Sequence, residues 1–588
     1  MDQYLFFPYS WHIDEEEEEI TSIRIYGLDE RNENVCVRVD NFTPYVYIEL
    51  PDYIHWDSGK AQLVGNKLDE LLGRQKPLKK VLMKKKRLYG AYIDENNNRK
   101  LFPYLFCSFS TRKDVKCLGY KIRNTLHVVG VGAIKLKIHE SDADEILQLT
   151  CCRQISTAGW VEFHGKRQTE EEKLTLCDHE FKVKWKHLFP YKKDIVPNPK
   201  IMGFDIEVNS TNPSVMPNAN KPGDKVFQIS CVISRHGEST KEYEKYLLTL
   251  GQPDPDIVGN DVLIYMYDTE SELLEGFTRF IREENPNIIV GYNILGFDIP
   301  YMIDRAKLNM CIFNFDQQGF HKFAHAREKT IKWSSSAYKN QEFQFLDAEG
   351  RVYVDLLPLV KRDFKFNNYK LKTIAEYFVG QTKDDLSVKG IFKCYRIGIK
   401  KNDNGEYGAK AQRAMGVVGK YCVKDSELVV LLMDKLQTWV GLTEMSKTCC
   451  VPIFSLYTQG QQIKVYSQLY KYCMFENIVV EKDGYQVSEG ERYAGAHVFP
   501  PIPGRYNNVV PFDFMSLYPT TIIAYNIDYH TWVPDDSDIS DSKCHVMEWH
   551  DHISCEHDPK IIRKMNLDKY IESERDKIKK LRDKRNNV

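Results

Sequence analysis

Between residues 201 and 436 the sequence alternates apolar runs with helical periodicity, and this alternation restricts the fold more than any other feature. The pattern predicts strands at Lys200–Val208, 226–234 and 287–292. It also predicts a helix at Glu270–Glu284 before the third strand and a closing helix at 411–436. Strands that alternate with helices favour an α/β domain.

Two carboxylates interrupt the first of these strands, in the run Ile201-Met-Gly-Phe-Asp-Ile-Glu-Val. Because strand side chains alternate between faces, Asp205 and Glu207 point to the same side. Like charges on a half-buried surface are destabilising unless a cation or a donor compensates them. Oxygen-rich sites suit Mg²⁺ or Mn²⁺, so a divalent metal is one interpretation. A strand end with two exposed acids is the other.

Two later segments add to this pair of acids. Asn293 and Asp298 lie on a tight turn after the third predicted strand, where α/β sheets usually bind ligands. Tyr421 and Asp425 are four residues apart in a helical stretch and therefore share a face. The four acids Asp205, Glu207, Asp298 and Asp425, with Tyr421 to orient a water, are the groups that a two-metal phosphodiester hydrolase needs.

The flanking regions have a different character. Residues 1–195 alternate short β-branched and aromatic runs with turn signals, which predicts a β-rich or α+β domain that ends at a proline-bearing stretch, 190–199. We therefore predict three domains, at residues 1–195, 196–440 and 441–588. The basic run Lys79–Arg87 either follows a phosphate backbone or forms a solvated basic face.

Charge and cysteine content limit the class of protein. The formal net charge is -2, so a nucleic-acid site has to be a local patch. The fifteen cysteines are scattered without the framework of a small secreted domain, which favours a reducing, intracellular compartment. Because no apolar run approaches the ~18 residues of a membrane span, we expect no membrane partner.

A single acid, Asp513, interrupts a second apolar segment, residues 509–518, which we predict to be a strand that turns at 516–519. It is either a metal ligand at a strand end, before a turn whose amides face phosphate oxygens, or an ordinary strand cap.

The order Asp-x-Glu, Asn-x-x-x-Phe-Asp and Tyr-x-x-x-Asp resembles the three exonuclease motifs of family B DNA polymerases. The later run Asp-Phe-Met-Ser-Leu-Tyr-Pro-Thr is similar to motif A of the same family. Within this family, the sequence most resembles the delta-like polymerases of large nucleo-cytoplasmic DNA viruses. The implied fold is multidomain, α+β and α/β, with a β-rich N-terminal domain, an RNase H-like 3′–5′ exonuclease and an incomplete palm.

The resemblance also implies roles for individual residues. Asn293 and Phe297 would lie near the frayed primer end, while Asp355, in a further matching segment, is expected to support the sheet only. Asp513 would bind the catalytic metals, and Phe514, Ser516, Leu517 and Tyr518 would contact the nucleotide. Tyr493 and Gly495 resemble the Tyr-x-Gly element that holds template. The implied cofactors are Mg²⁺ or Mn²⁺, two ions per active site.

The fingers motif Lys-x-x-x-Asn-Ser-x-Tyr-Gly and the palm motif Tyr-x-Asp-Thr-Asp do not occur in this sequence. We therefore expect the remaining polymerase on a continuation or a separate chain, and polymerisation by this chain alone is not expected. The implied partners are primer-template DNA, deoxynucleoside triphosphates, the remainder of the polymerase and a sliding clamp. The location would be the nucleus or a cytoplasmic viral replication site.

Two alternative functions stay open: a stand-alone 3′–5′ exonuclease, and a non-catalytic scaffold subunit derived from a polymerase. The Cys- and His-rich residues 544–557 lack the paired Cys-x2-Cys spacing of a structural zinc site. We interpret them as a surface loop, with zinc as the alternative.

Overall fold

The structure is a computed structural model that describes residues 2–14, 21–90, 93, 96, 98–335, 339–381, 386–481, 500–529, 531–533, 537, 539–546, 575–577 and 579. The chain forms two compact units. The first contains Met1–Met83 and Pro103–Asn477, and the second contains Lys84–Phe102 and Ile478–Val588.

The strands of the described residues follow in chain order: β1 (Asp2–Asp14), β2 (Ser22–Leu28), β3 (Asn34–Asp40), β4 (Tyr45–Glu49), β5 (Lys79–Arg87), β6 (Phe102–Ser108), β7 (Leu126–Val128), β8 (Gly132–Ile134), β9 (Lys137–His139), β10 (Val161–Arg167), β11 (His179–Lys184), β12 (Leu188–Pro190), β13 (Lys200–Val208), β14 (Val226–Arg235), β15 (Glu244–Leu250), β16 (Val262–Tyr267), β17 (Ile288–Gly291), β18 (Arg327–Ser335), β19 (Lys339–Asp347), β20 (Val352–Asp355) and β21 (Ile478–Val479).

The α-helices of the same residues are α1 (Ser58–Leu72), α2 (Arg112–Lys121), α3 (Glu145–Arg153), α4 (Pro255–Val258), α5 (Glu270–Glu284), α6 (Asp298–Leu308), α7 (Ile312–Phe315), α8 (Leu356–Asp363), α9 (Leu371–Val379), α10 (Val388–Gly398), α11 (Ala409–Lys435), α12 (Thr438–Cys449), α13 (Ser455–Thr458), α14 (Gln462–Phe475) and α15 (Leu517–Tyr525). The mixed α/β multidomain architecture expected from the sequence is confirmed.

A six-stranded sheet is built from the N-terminal part of the first unit, in the order β1-β2-β3-β11-β10-β12. Its strands pair antiparallel, except that β11 runs parallel to β3. Alternating apolar side chains of β2 and β3, such as Ile23, Ile25, Val35 and Val37, form one buried face. This is the β-rich region predicted from its short β-branched runs.

A second six-stranded sheet in the same unit carries the acids singled out above, in the order β16-β15-β14-β13-β17-β20. Strand β13 is antiparallel to β14 and parallel to β17, and β17 is parallel to β20. Apolar side chains on both faces of β13 and β14 are buried, as expected for central strands covered by helices.

Helices α5 and α11 agree closely with the sequence prediction. Helix α5 begins after a capping box in which Thr269 and Glu272 exchange hydrogen bonds, and it ends at Asn285 in the left-handed conformation. Helix α11 is predicted at 411–436 and observed at Ala409–Lys435, with one side buried against β13 and β14. Its burial places Tyr421 and Asp425 on the sheet side.

The second unit contains the Asp513 segment. Residues 500–528 are exposed almost throughout, and none of them forms a strand in the described structure. The predicted strand at 509–518 is therefore wrong: Phe512 is 93% exposed, and no sheet among the described residues covers the apolar run. Helix α15 begins at Leu517 instead, and Pro519 is tolerated because it lies in the first helical turn.

Several predictions fall outside the described residues. Tyr493 and Gly495 lie in the undescribed range 482–499, and the histidines and cysteine of 550–557 lie in 547–574. Within the described ranges, every cysteine is a free thiol. No described helix has the length and apolar content that crossing a membrane requires.

Candidate active site

Strand β13 places Asp205 and Glu207 on one face, as the period-two argument predicts. Asp205 pairs with Ser230 of β14 and Glu207 with Gln228, and a bulge follows Glu207. Glu207 is buried and Asp205 is half-buried. One carboxylate oxygen of each acid and the Sγ atom of Cys422 all lie within 4.8 Å of one another. The strand therefore presents two oxygen ligands at a single point below helix α11.

Helix α11, which carries Asp425, packs closely against β13. A Cβ atom on Gly203 would lie 2.5 Å from Val430 Cγ2 and 2.9 Å from the carbonyl oxygen of Ser426, so the close approach needs a glycine. Asp425 and Tyr421 are both buried on the same side of the helix.

The thiol of Cys422 is surrounded by acids from both elements. Burial raises its pKa well above the usual value, and the charges of Asp205, Glu207 and Asp425 raise it further. The Cys422 thiol thus lies near three of the four predicted acids, and Asp205 and Glu207 are the two that form a group with it within 4.8 Å.

A set of hydroxyl contacts holds the helix in register against β14. The hydroxyl of Ser230 donates to the carbonyl oxygen of Cys422 at 2.8 Å and lies 2.6 Å from the hydroxyl of Ser426. The Cys422 thiol donates to Ser230 at 3.2 Å. Because Cys422 and Ser426 are one helical turn apart, both face the sheet, and rotation of α11 would break these bonds.

The fourth acid, Asp298, is the first residue of α6 and is fully enclosed. Burial raises the pKa of its carboxyl to about 8, and the nearby charge of Asp355 adds to the rise. A hydrogen bond from the amide of Ile206 acts in the opposite direction and lowers this pKa. Ile206 lies between Asp205 and Glu207 on β13, so Asp298 lies beside that strand.

Asp355 holds the turn that leads to Asp298. Its two carboxylate oxygens accept from the amides of Asn293 at 2.8 Å, Leu295 at 3.1 Å and Leu357 at 3.0 Å. Burial nevertheless raises its pKa to about 6. Since its oxygens are used by backbone amides, these contacts support a role in building the turn and not in binding metal.

The turn itself carries the two residues expected near a primer end. Asn293 adopts a left-handed conformation with a φ of 69°, which asparagine tolerates better than most residues. Phe297 is half-buried, and its ring lies 5.4 Å from that of Tyr301. Both residues lie within five positions of Asp298 in the chain.

The donor set fits divalent cations. Four carboxylates on β13, α6 and α11 supply hard oxygen ligands, which suit Mg²⁺ and Mn²⁺. The raised pKa of Asp298 reflects the cost of burying this carboxyl in its charged form. Asp205, Glu207, Asp298 and Asp425 are therefore the residues that would hold such ions.

Asp513 belongs to the second unit. Phe514 and Tyr518 are 75% and 72% exposed, and Ser516 has a left-handed backbone just before α15. The hydroxyl of Thr520 donates to the carbonyl oxygen of Met515 at 3.0 Å. Among the described residues, Asp513 belongs to no group of three or more metal-ligating side chains.

Cys422, Ser230 and Ser426 were not predicted as part of the site. The spacing of Cys422 and Ser426, four residues apart on the same helix as Tyr421 and Asp425, was a signal that they face the sheet. Nothing in the sequence connects Ser230 to them, because that contact spans 196 residues of chain.

Comparison with known proteins identifies the family to which this geometry belongs. Residues 136–374 match the model of the family B DNA polymerase exonuclease domain, and residues 451–584 match that of family B DNA polymerases. The chain belongs to the family B DNA polymerases. The first match includes Asp205, Glu207 and Asp298, while Tyr421 and Asp425 lie between the two matched ranges.

Named relatives of this family B chain come from viruses and from eukaryotes. DNA polymerase 120R of Invertebrate iridescent virus 3 is 46% identical over 99% of this chain and 52% of its own length. DNA polymerase 037L of Invertebrate iridescent virus 6 is 37% identical over 98% of this chain and 54% of its own length. The DNA polymerase delta catalytic subunit of Schizosaccharomyces pombe is 30% identical over 87% of this chain and 45% of its own length. The chain thus spans about half the length of these relatives.

A solved structure shares the fold. The family B DNA polymerase from Pyrobaculum calidifontis superposes with a TM-score of 0.63 at 18% identity. The match covers 90% of this chain and 58% of the archaeal one. The predicted membership of family B, the predicted similarity to viral polymerases and the predicted fold are all confirmed.

Proposed function

We propose that this chain is the 3′–5′ exonuclease and motif A portion of a replicative DNA polymerase, with the domain boundaries predicted above. The observation that carries the proposal is the convergence of Asp205, Glu207 and Asp425 around the Cys422 thiol, with Asp298 beside the same strand. Two Mg²⁺ or Mn²⁺ ions are the proposed cofactors of each active site.

The proposed reaction removes one nucleotide from a 3′ end. The oxygen of a water attacks the terminal phosphorus while the bond from phosphorus to the 3′ oxygen of the preceding nucleotide breaks, and that oxygen takes up a proton. The products are a nucleoside 5′-monophosphate and a strand shortened by one residue. Divalent ions, when bound, would activate the attacking water and stabilise the charge on the leaving oxygen.

The protein's own residues position the reactants. Tyr421, one turn before Asp425, orients the attacking water through its hydroxyl. Asn293 and Phe297 hold the terminal nucleotide, the first by hydrogen bonding and the second by packing against the base or sugar. Asp355 keeps both in place because it fixes the turn on which they lie.

For the second unit, we propose that Asp513 binds a catalytic metal and that Phe514, Ser516, Leu517 and Tyr518 contact the incoming nucleotide. Tyr493 and Gly495 are proposed to contact template. The exposed apolar run 509–523 supports the proposal that further protein covers this region in the working polymerase. Primer-template DNA, deoxynucleoside triphosphates and a sliding clamp are the proposed partners, inside a cell, in the nucleus or at a viral replication site.

An exonuclease assay tests the proposal directly. The chain is incubated with a 5′-labelled DNA primer that carries a mismatched 3′ end, with Mg²⁺, and the products are separated by length. We expect stepwise shortening from the 3′ end that EDTA abolishes and that single-stranded DNA also undergoes. The absence of shortening would contradict the exonuclease proposal. Robust primer extension by this chain would contradict the proposal that motif A needs further protein.

The pKa of Asp298 predicts how metal binding varies with pH. Its folded pKa, about 8, is raised above the ~3.9 of an unfolded aspartate, so the proton stabilises the fold at acidic pH. That contribution is lost as the pH rises through the folded pKa. Since metal ligands must be deprotonated, Mg²⁺ should raise the unfolding temperature more at about pH 9 than at about pH 6.

Thermal unfolding with and without Mg²⁺ measures this difference. Asp298→Asn serves as the matched variant, because it keeps the shape of the side chain but has no proton to release. We expect it to show a small Mg²⁺ effect that does not change with pH. Equal Mg²⁺ effects at both pH values in the unaltered chain would rule out a role for Asp298 as a ligand.

A further inference from the structure

Strand β16 forms one edge of the sheet that carries the acids, and its sequence is unusual for an edge. It pairs parallel with β15 through residues 262–267, and no other described strand pairs with it. The six residues Val262-Leu-Ile-Tyr-Met-Tyr include no charge, glycine or proline. Natural edge strands usually carry such residues, or are covered, because free backbone groups invite another strand.

Because strand side chains alternate, Val262, Ile264 and Met266 lie on one face of β16, and Leu263 and Tyr265 lie on the other. Val262 and Ile264 pack against a small buried cluster of Leu247, Val258 and Val423. Leu263, Tyr265 and Met266 are exposed by 59%, 46% and 58%. The strand therefore offers fixed backbone donors and acceptors together with uncovered apolar side chains, which are the two components of strand addition.

Acidic residues lie at both ends of this edge. Asp256 and Asp261 precede the strand, Asp268 and Glu272 follow it, and all four are exposed. Lys245 lies 2.9 Å from Asp261 and offsets part of its charge. Arg279, exposed on α5, does the same at the far end, where its charge lowers the pKa of Tyr267 against the larger effect of burial. The ends retain an excess of negative charge.

We propose that β16 binds an extended peptide segment of a partner protein by strand addition, and that this segment has an apolar centre flanked by lysine or arginine. The apolar centre covers Leu263 and Met266, and the flanking cations meet the acids at the two ends. Backbone hydrogen bonds to the edge supply affinity, and the charges supply specificity and register.

The same charges disfavour a second copy of this chain as the occupant. In antiparallel pairing of two β16 strands, Asp261 of one copy lies opposite Asp268 of the other. In parallel pairing, Asp261 lies beside its own equivalent. Like charges opposite each other destabilise paired strands, so both arrangements of two β16 strands are destabilised. A basic peptide would instead place opposite charges next to these acids.

Binding at this edge is compatible with the exonuclease chemistry. In the sheet order β16-β15-β14-β13, the edge is three strands from Asp205 and Glu207. At about 4.8 Å per strand this is a separation of about 14 Å. A partner held here would remain attached while DNA occupies the acid cluster.

Two labelled probe peptides test the proposal by fluorescence anisotropy with the whole chain. The first is Lys-Lys-Thr-Val-Thr-Val-Thr-Val-Lys-Lys, and the second has glutamate in place of every lysine. We expect the lysine peptide to bind at least about tenfold more tightly, with an advantage that decreases with added salt. Equal binding of the two peptides, or binding of neither, would overturn the proposal.

Edge variants locate the binding site. Leu263→Lys and Met266→Lys each add a charge to the exposed edge, on opposite faces of the sheet, and should weaken binding of the lysine peptide by about tenfold. Tyr120→Lys is the matched control, since Tyr120 is 68% exposed on α2 and should leave binding unchanged. Thermal unfolding of all three variants checks that the fold is kept. Unchanged binding by the edge variants would place the peptide elsewhere.

Hydrogen exchange gives a readout that does not depend on substitution. The lysine peptide should slow amide exchange within residues 262–267 of the unaltered chain. Sedimentation at increasing concentration tests the competing occupant. Dimerisation that Leu263→Lys abolishes, without any protection by the peptide, would assign the edge to a second copy and overturn the proposal.

Discussion

Replacing Asp205 by alanine is expected to abolish the exonuclease activity, with a loss of at least about 10³-fold in the rate of nucleotide release. The carboxylate is one of the ligands grouped within 4.8 Å at β13, and its removal leaves Glu207 without its partner on the strand. Loss of one ligand to a catalytic ion removes several kcal/mol of transition-state stabilisation, and about 4 kcal/mol corresponds to this factor.

The assay of shortened 5′-labelled primers measures this loss, and the structure supplies a matched control. Asp304, on α6, is a half-exposed aspartate that lies 3.9 Å from Lys307, on the same helix as Asp298. Asp304→Ala should keep the activity of the unaltered chain. An Asp205→Ala chain that retains activity within about tenfold would show that Asp205 is not a metal ligand.

A metal titration separates this result from misfolding. Asp205 is half-buried at a strand position where alanine fits without a clash, so the variant should unfold close to the unaltered chain when Mg²⁺ is absent. With Mg²⁺ present, the stabilisation of the unaltered chain should be lost in Asp205→Ala and kept in Asp304→Ala. Lower stability without Mg²⁺ would instead indicate a structural role.

The sheet that carries the acids was predictable because its segments have strong local signals. Strand β13 and helix α5 were predicted with the bounds that the structure has, Lys200–Val208 and Glu270–Glu284. In α5 the capping box at Thr269 and Glu272 and the turn at Asn285 define both ends. Where such signals agree with apolar periodicity, the sequence determines the element.

The acid cluster was also predictable, but only as a set of residues. Period-two alternation placed Asp205 and Glu207 together, and the helical repeat placed Tyr421 with Asp425. The geometry that unites them depends on contacts distant in sequence, such as the approach of α11 over Gly203 and the bond from Ser230 to Cys422. No local pattern encodes these contacts.

The Asp513 segment shows the opposite limit. Its apolar residues match a strand in composition, but a strand requires a partner for its backbone groups and cover for its side chains. The structure gives residues 509–514 neither within the part of the second unit that it describes, and α15 follows directly. Apolar character alone therefore could not predict which conformation the segment adopts.

Replacing Glu270 by alanine is expected to lower the free energy of unfolding of the first unit by about 3–5 kcal/mol, because it leaves a buried arginine without its counter-charge. Glu270 and Arg305 are both almost completely enclosed, and Nε of Arg305 donates to Glu270 at 2.8 Å. Glu270 also accepts from the amide of Val226, at the start of β14, and from the side chain of Asn309.

Loss of this carboxylate therefore affects three elements at once. Arg305 lies on α6 and also donates to the carbonyl oxygens of Ala219 and Lys221, so the pair connects α5, α6, β14 and the preceding loop. The same helix α6 begins at Asp298, and a shift of α6 would move that acid relative to β13. We expect the exonuclease rate of Glu270→Ala to fall as well, although by less than that of Asp205→Ala.

Urea denaturation followed by circular dichroism measures the change, with Glu284→Ala as the matched control. Glu284 belongs to the same helix and lies 2.6 Å from Lys200, but both side chains are about a quarter exposed. Partly solvated ion pairs contribute at most about 1 kcal/mol, so the control should unfold at nearly the same urea concentration as the unaltered chain. Equal midpoints for the two variants would show that burial of the Glu270–Arg305 pair does not decide the stability of this unit.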